Sequence, residues 1–150
     1  MSKSSRRDVI GLLIAVAAGS CAFITVPLAS DVKPLAIKGY DPVAYFTAGA
    51  PMRGLPDIEY EWDEYRYRFA RPAHRELFEA NPARYAPQFA NFCAMALAKG
   101  VLYEADPESW LIHDGKLYVF GGPAGRHQFQ QSLAENIAKA HRNRSLVQRR

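Results

Sequence analysis

An α+β fold is expected from three features of the sequence. Between Tyr65 and Tyr85 an alternation of period two gives way to a helical one, as where a strand feeds a short helix. Asp114-Gly115 separates two apolar runs, and Phe129, Leu133, Ile137 and Ala140 recur at helical spacing near the end. Together they predict a small antiparallel sheet of two hairpins, with a short helix and a C-terminal helix packed against it. With 150 residues, 49% of them apolar, the chain can bury the core of one ordinary domain and hardly two.

Each element has a local cause. Asp31 to Lys38 reads as a linker, and Gly39-Tyr40-Asp41-Pro42 as a turn delivering Val43, Tyr45 and Phe46 to the core. Asp41 either caps its own backbone or serves as a ligand or general base. Past a loop from Pro51 to Pro56, Ile58, Tyr60 and Trp62 alternate with Glu59 and Glu61. Asp63-Glu64 then turns the chain into Tyr65–Phe69, so that Glu59 and Glu61 meet Arg66 and Arg68 across a hairpin. Pro72 suits a first helical position, because its missing N–H would have had no partner there. That helix should carry Leu77 and Phe78 inward and end by Asn81, since Pro82 disfavours helical geometry in the residue before it.

Ala90 to Gly100 is the most apolar stretch outside the first 30 residues and reads as a helix or an irregular core segment. Asp106-Pro107-Glu108 reads as a helical turn before a second hairpin, Trp110–His113 and Lys116–Phe120, joined at Asp114-Gly115. A type I′ turn needs positive φ at both central residues, which is what Asp-Gly provides. A last helix runs from Pro123 to about Arg142, and the basic tail at 143–150 is expected to fray.

Residues 1–30 form a separate unit by composition. Lys3, Arg6 and Arg7 precede 21 residues, Val9 to Ala29, without a charged side chain. Ser5-Arg6-Arg7-Asp8-Val9-Ile10 has the twin-arginine arrangement, so the segment reads as an export signal cut after Ala29 or Ser30. The alternative is an uncleaved anchor in the inner membrane, since about 20 apolar residues suffice to cross. Ala18-Gly19-Ser20-Cys21 makes a poor lipoprotein box. The expected address is the periplasm or the exterior, with membrane contact only through an uncleaved segment.

The formal charge of +4 does not describe the folded body. Removing the excess of two in the first 30 residues, and the five cations Lys139, Arg142, Arg144, Arg149 and Arg150, leaves the body at −3. No basic stripe with interleaved aromatics occurs there, which argues against a nucleic-acid partner. No glycine-rich phosphate loop, nucleophile elbow or His-Glu-x-x-His is present, so the common catalytic templates are missing.

Several motifs resemble one family. Asn81-Pro82 with Tyr85 after the strand and helix, and Gly39-Tyr40-Asp41-Pro42-Val43-Ala44-Tyr45-Phe46 upstream, are similar to the YHS domain family. Phe92-Cys93-Ala94 and Asp114-Gly115-Lys116-Leu117-Tyr118 extend the resemblance to its exported bacterial branch, over most of residues 37–140. In many short members, cysteines after Asp-Pro-Val, after the strand's last Phe and four residues later are associated with metal binding. Here Ala44, Ala70 and His74 stand at those places, so the resemblance does not carry over an intact thiolate site.

The remaining chemistry centres on Cys93. Once residues 1–30 are removed, Cys93 is the only cysteine, and no internal disulfide can form. It is either a small buried hydrophobe or a ligand in a soft metal site with Met95 and His74, a donor set suited to copper or zinc. A third possibility is a thiolate nucleophile with His74 as its base. His74 could equally be an ordinary, partly exposed histidine, and His113, His127 and His141 have no metal-site spacing. The sequence therefore points to an exported, non-catalytic module binding a transition metal through Cys93, His74 and Met95. The runner-up binds a protein or small-molecule partner without metal, through an aromatic surface around Tyr40, Asp41, Tyr45 and Tyr67. A thiol-dependent enzyme using Cys93 and His74 comes third.

Overall fold

A computed structural model describes residues 32–148, which form an α+β domain of two antiparallel hairpins and several helices. The export segment and its anchor alternative, both assigned to residues 1–30, lie outside the described residues, as do Arg149 and Arg150. In order come α1 (Ala44–Thr47), β1 (Leu55–Trp62), β2 (Tyr65–Phe69), α2 (Pro72–Ala80), α3 (Pro82–Tyr85) and α4 (Ala94–Ala98). Then follow β3 (Asp106–His113), β4 (Lys116–Phe120), α5 (Pro123–Gln131) and α6 (Leu133–Arg142). No helix among the described residues is long and apolar enough to cross a membrane.

The first hairpin has the expected register, with Glu59 opposite Arg68 and Glu61 opposite Arg66. Glu59 takes both arginines, at 3.1 Å from Arg66 and 2.7 Å from Arg68, while Glu61 turns to Lys33 at 3.6 Å. Tyr67 and Phe69 are buried on the inner face, which fixes the strand phase. Gly54 permits the β1 end to close on β2, because a Cβ there would lie 2.5 Å from the Arg68 backbone carbon.

Helix α2 starts at Pro72 and ends before Asn81, as its prolines dictate. Leu77 does not face inward and is 42% exposed. His74 and Phe78, one helical turn apart, own the buried face instead, and Leu77 is rotated about 100° from Phe78. Phe78 is the aromatic hub, with ring centroids 4.6 Å from Tyr67, 5.3 Å from Phe69 and 6.2 Å from both Tyr60 and Trp62.

The expected linker is built into the fold, with the Pro34 carbonyl accepting from the Arg66 N–H at 2.9 Å. Ala36–Gly39 is a tight turn with Ile37, Lys38 and Gly39 at φ 37°, 51° and 81°, and Ala36 and Ile37 lie in the core. Asn91 holds it from 54 residues away, accepting from the Ile37 N–H at 2.6 Å and donating to the Leu35 carbonyl at 3.0 Å. Asp106-Pro107-Glu108 is likewise not a helical turn. It opens β3 and forms a bulge, where Asp106 Oδ1 accepts from the Glu108 N–H at 3.0 Å before register resumes at Trp110. The local Asx turn is real, but pairing of Asp106 with Phe120 keeps it in the strand. At the other end of the hairpin, Asp114 and Gly115 have φ 49° and 68°, as the turn requires.

Strand β4 divides the interior. Leu117 and Val119 belong to one apolar cluster with Tyr45, Tyr67, Phe69 and Phe78, whereas Tyr118 and Phe120 belong to another with Phe89, Leu97 and Phe129. The two hairpins thus form separate two-stranded sheets, and β4 is buried on both faces. The segment from Ala90 resolves into irregular chain followed by the one-turn helix α4 in the second cluster. The expected single C-terminal helix is broken at Ser132, with φ −138° and ψ 57°. Asn136 stabilises the break by donating to the carbonyls of Phe129 at 3.1 Å and Gln128 at 3.4 Å. The tail does not fray at once, because Leu146 and Val147 pack against the second cluster.

Candidate functional site

The sequence-derived site residues separate into different parts of the molecule. Asp41 is fully buried and accepts four hydrogen bonds: Oδ1 from the N–H of Val43 at 2.9 Å and Ala44 at 3.2 Å, Oδ2 from the Ala70 N–H at 2.8 Å and His74 Nδ1–H at 2.6 Å. A carboxylate offers about four lone-pair positions, so none is left for a ligand. Ala44, Ala70 and His74, the positions linked by resemblance to the family's cysteines, all bind this one carboxylate. His74 is buried, not partly exposed, and its second nitrogen, Nε2, lies 3.1 Å from Thr47 Oγ1. Both imidazole nitrogens are therefore engaged. The network ties α1 to β2 and α2 and is structural.

The aromatic surface expected around Tyr40, Tyr45 and Tyr67 is largely interior. The Tyr45 hydroxyl donates to the Pro107 carbonyl at 3.0 Å, and burial pushes its phenol well above the usual tyrosine range. Burial does the same to Tyr67. Tyr40 donates to Glu108 Oε1 at 2.7 Å beneath the Arg53 guanidinium, and that hydrogen bond, more than burial, raises its phenol. Tyr67 does border a cleft of about 300 Å³ with Trp62, Tyr65 and Phe89, but Asp63, Glu64 and Arg144 give it mixed charge.

Cys93 and Met95 belong to the second cluster and His74 packs elsewhere, so the expected three-residue metal set is not assembled. Among the described residues, no three His, Cys, Asp or Glu side chains gather in a group that could hold a metal ion. Cys93 caps α4: its Sγ accepts from the Ala96 N–H at 3.4 Å, and its own N–H donates to the Tyr103 carbonyl at 2.8 Å. Only 5% exposed, it behaves as a packed, lightly hydrogen-bonded hydrophobe.

Cys93 and Met95 also line an apolar groove of about 360 Å³ between α4, the start of α5 and the Lys99–Tyr103 segment. Gly125 allows the helices to close over the floor, since a Cβ there would sit 3.7 Å from Cys93 Sγ and 3.9 Å from Met95 Cβ. Val101 and Tyr103 line the groove yet are 54% and 63% exposed. The Tyr103 ring lies against Gly121, where a Cβ would come within 2.6 Å of it. Sequence reasoning missed Lys99, Val101, Tyr103, Gly121 and Gly125. The signal open to it was the run of small residues from Gly121 to Gly125, because small residues before a helix allow close approach of another element.

Fold and geometry define a class, a small α+β domain with a sulfur-floored apolar groove. No family model, curated protein or solved structure matches the chain.

Proposed function

We propose that this protein is a non-catalytic, metal-free binding domain, YHS-like in sequence, that takes a small apolar ligand in the groove over Cys93 and Met95. One observation carries the reading: a buried sulfur-lined floor lies beside two large apolar side chains, Val101 and Tyr103, left in water. Covering apolar surface is worth about 25 cal/mol per Å², so a seated ligand gains from both floor and rim. The volume of about 360 Å³ falls within the common range for small-molecule sites, roughly 300 to 1,000 Å³.

Copper or zinc binding has less support. With both His74 nitrogens engaged, the soft donors reduce to Cys93 and Met95, fewer than the four ligands of a structural zinc site. A thiol enzyme loses its base for the same reason, since a general base must reach the proton it abstracts.

The test is chemical-shift mapping with decanol. Shifts should change at amides of α4 and α5 in the native protein and stay unchanged in Gly125→Leu, which fills the groove. Gly125→Ala, whose added carbon makes only ordinary contacts, serves as the folding control. No response at those amides up to the solubility limit of decanol would overturn the groove. Stoichiometric copper or zinc in purified protein, lost in Cys93→Ser, would restore the metal reading.

A further inference from the structure

We infer that the ligand of this groove is an anionic amphiphile, an apolar chain ending in a carboxylate, with Lys99 receiving its head. The inference rests on the groove reading above and assigns the chemistry of what fills it.

The argument is one of charge complementarity. Cys93, Met95, Ala96, Val101 and Tyr103 supply sulfur and carbon to the lining, and among the described residues Lys99 is the only lining residue with a formal charge. Its Nζ donates one hydrogen bond, to Gln128 Oε1 at 2.7 Å, which leaves two of the three ammonium donors for an incoming acceptor. Among the described residues no carboxylate lies within ion-pair distance of it. A neutral apolar ligand would leave this cation at the groove's edge without a counter-charge, and a cationic one would meet repulsion.

The opening of α5 adds to the same sign. Gly122 caps the helix without a side-chain acceptor and no acidic residue stands in the first turn, so that, apart from Pro123, which has no N–H, the first-turn donors are not countered by a side chain. Gly122, Ala124 and Gly125 all line the groove, so the positive end of the helix faces it. The net charge of the folded body is negative, but exposed charges more than about 10 Å away are largely screened at 0.1 M salt. Lys99 supplies the formal charge on the groove lining itself, while Glu104 and Asp106 line the neighbouring pocket on the other side of Tyr103 and Gly121.

Three probes of equal chain length separate the outcomes: decanoate, decanol and protonated decylamine, each below its micelle concentration. The full chain is used, with binding read from amide shifts of Cys93, Lys99 and Gly125, because the apolar run Val9 to Ala29 would take up any amphiphile. Decanoate should bind roughly two- to fivefold more tightly than decanol, the gain expected of one exposed ion pair. Decylamine should bind most weakly. Lys99→Met should bring decanoate down to decanol, whereas Lys99→Arg should keep the preference. Equal binding of decanoate and decanol, or tighter binding of decylamine, overturns the anionic assignment and leaves the groove standing. If none of the three shifts these amides, the groove reading itself falls.

Discussion

Asn91 shows how one side chain decides a region that looks featureless in sequence. Ile37 is β-branched and sits at φ 37°, a conformation that costs such a residue of order 1 to 3 kcal/mol unless its surroundings enforce it. Enforcement comes from the paired bonds of Asn91 to the Ile37 N–H and the Leu35 carbonyl. Asn91→Ala removes both and strands a buried N–H, so chemical denaturation should show a loss of about 2 to 4 kcal/mol. Asn91→Asp keeps the acceptor and should lose less. A variant within about 0.5 kcal/mol of the native protein would mean that other contacts hold the turn. Asp41 is the contrasting case: Asp before Pro announces a turn, and a turn is found. What the motif could not announce is that its second oxygen reaches Ala70 and His74, 29 and 33 residues on.

At the scale of elements, patterns that depend on neighbours in the chain were legible. The strand Tyr65–Phe69, the start of α2 at Pro72, its end before Asn81 and the Asp114-Gly115 turn all follow from steric rules acting over a few residues. Phe69 puts the strand phase to the test, because it is fully buried and packs on Phe78. Phe69→Ala should cost about 3 to 5 kcal/mol, a large share of a small domain's stability, and should lower the melting temperature sharply. An unchanged melting temperature would place Phe69 outside the core. The pattern misled where a partner outside it competed for the same backbone. The helical stripe of Phe129, Leu133, Ile137 and Ala140 gave no sign of the break at Ser132, because the carbonyls it exposes are satisfied by Asn136. Asp106-Pro107-Glu108 reads as a turn until Phe120 pairs with Asp106.

At the scale of the whole molecule, the phenols of Tyr40, Tyr45, Tyr67 and Tyr118 are raised above the ordinary value near 10. In the unfolded chain they ionise near pH 10, while in the folded protein they keep their protons to higher pH. The folded state then binds more protons than the unfolded one, so stability falls as pH rises past about 10. For the deeply placed Tyr45 and Tyr67 the slope approaches about 1.4 kcal/mol per pH unit each. Denaturation midpoints measured from neutral to strongly alkaline pH should show this fall, and it should be shallower in Tyr67→Phe. A flat profile above pH 10 would refute the assignment. By itself the sequence determined the α+β class, both hairpins with their turns and the boundaries of α2, because each rests on composition or on residues close together in the chain. Only the tertiary structure decided that β4 separates two cores, that His74 belongs to Asp41 and Thr47 and not to Cys93, and that Val101 and Tyr103 flank a groove floored by Cys93 and Met95. These juxtapositions are set by packing between segments distant in sequence, and local periodicity carries no information about which segment will lie across from which.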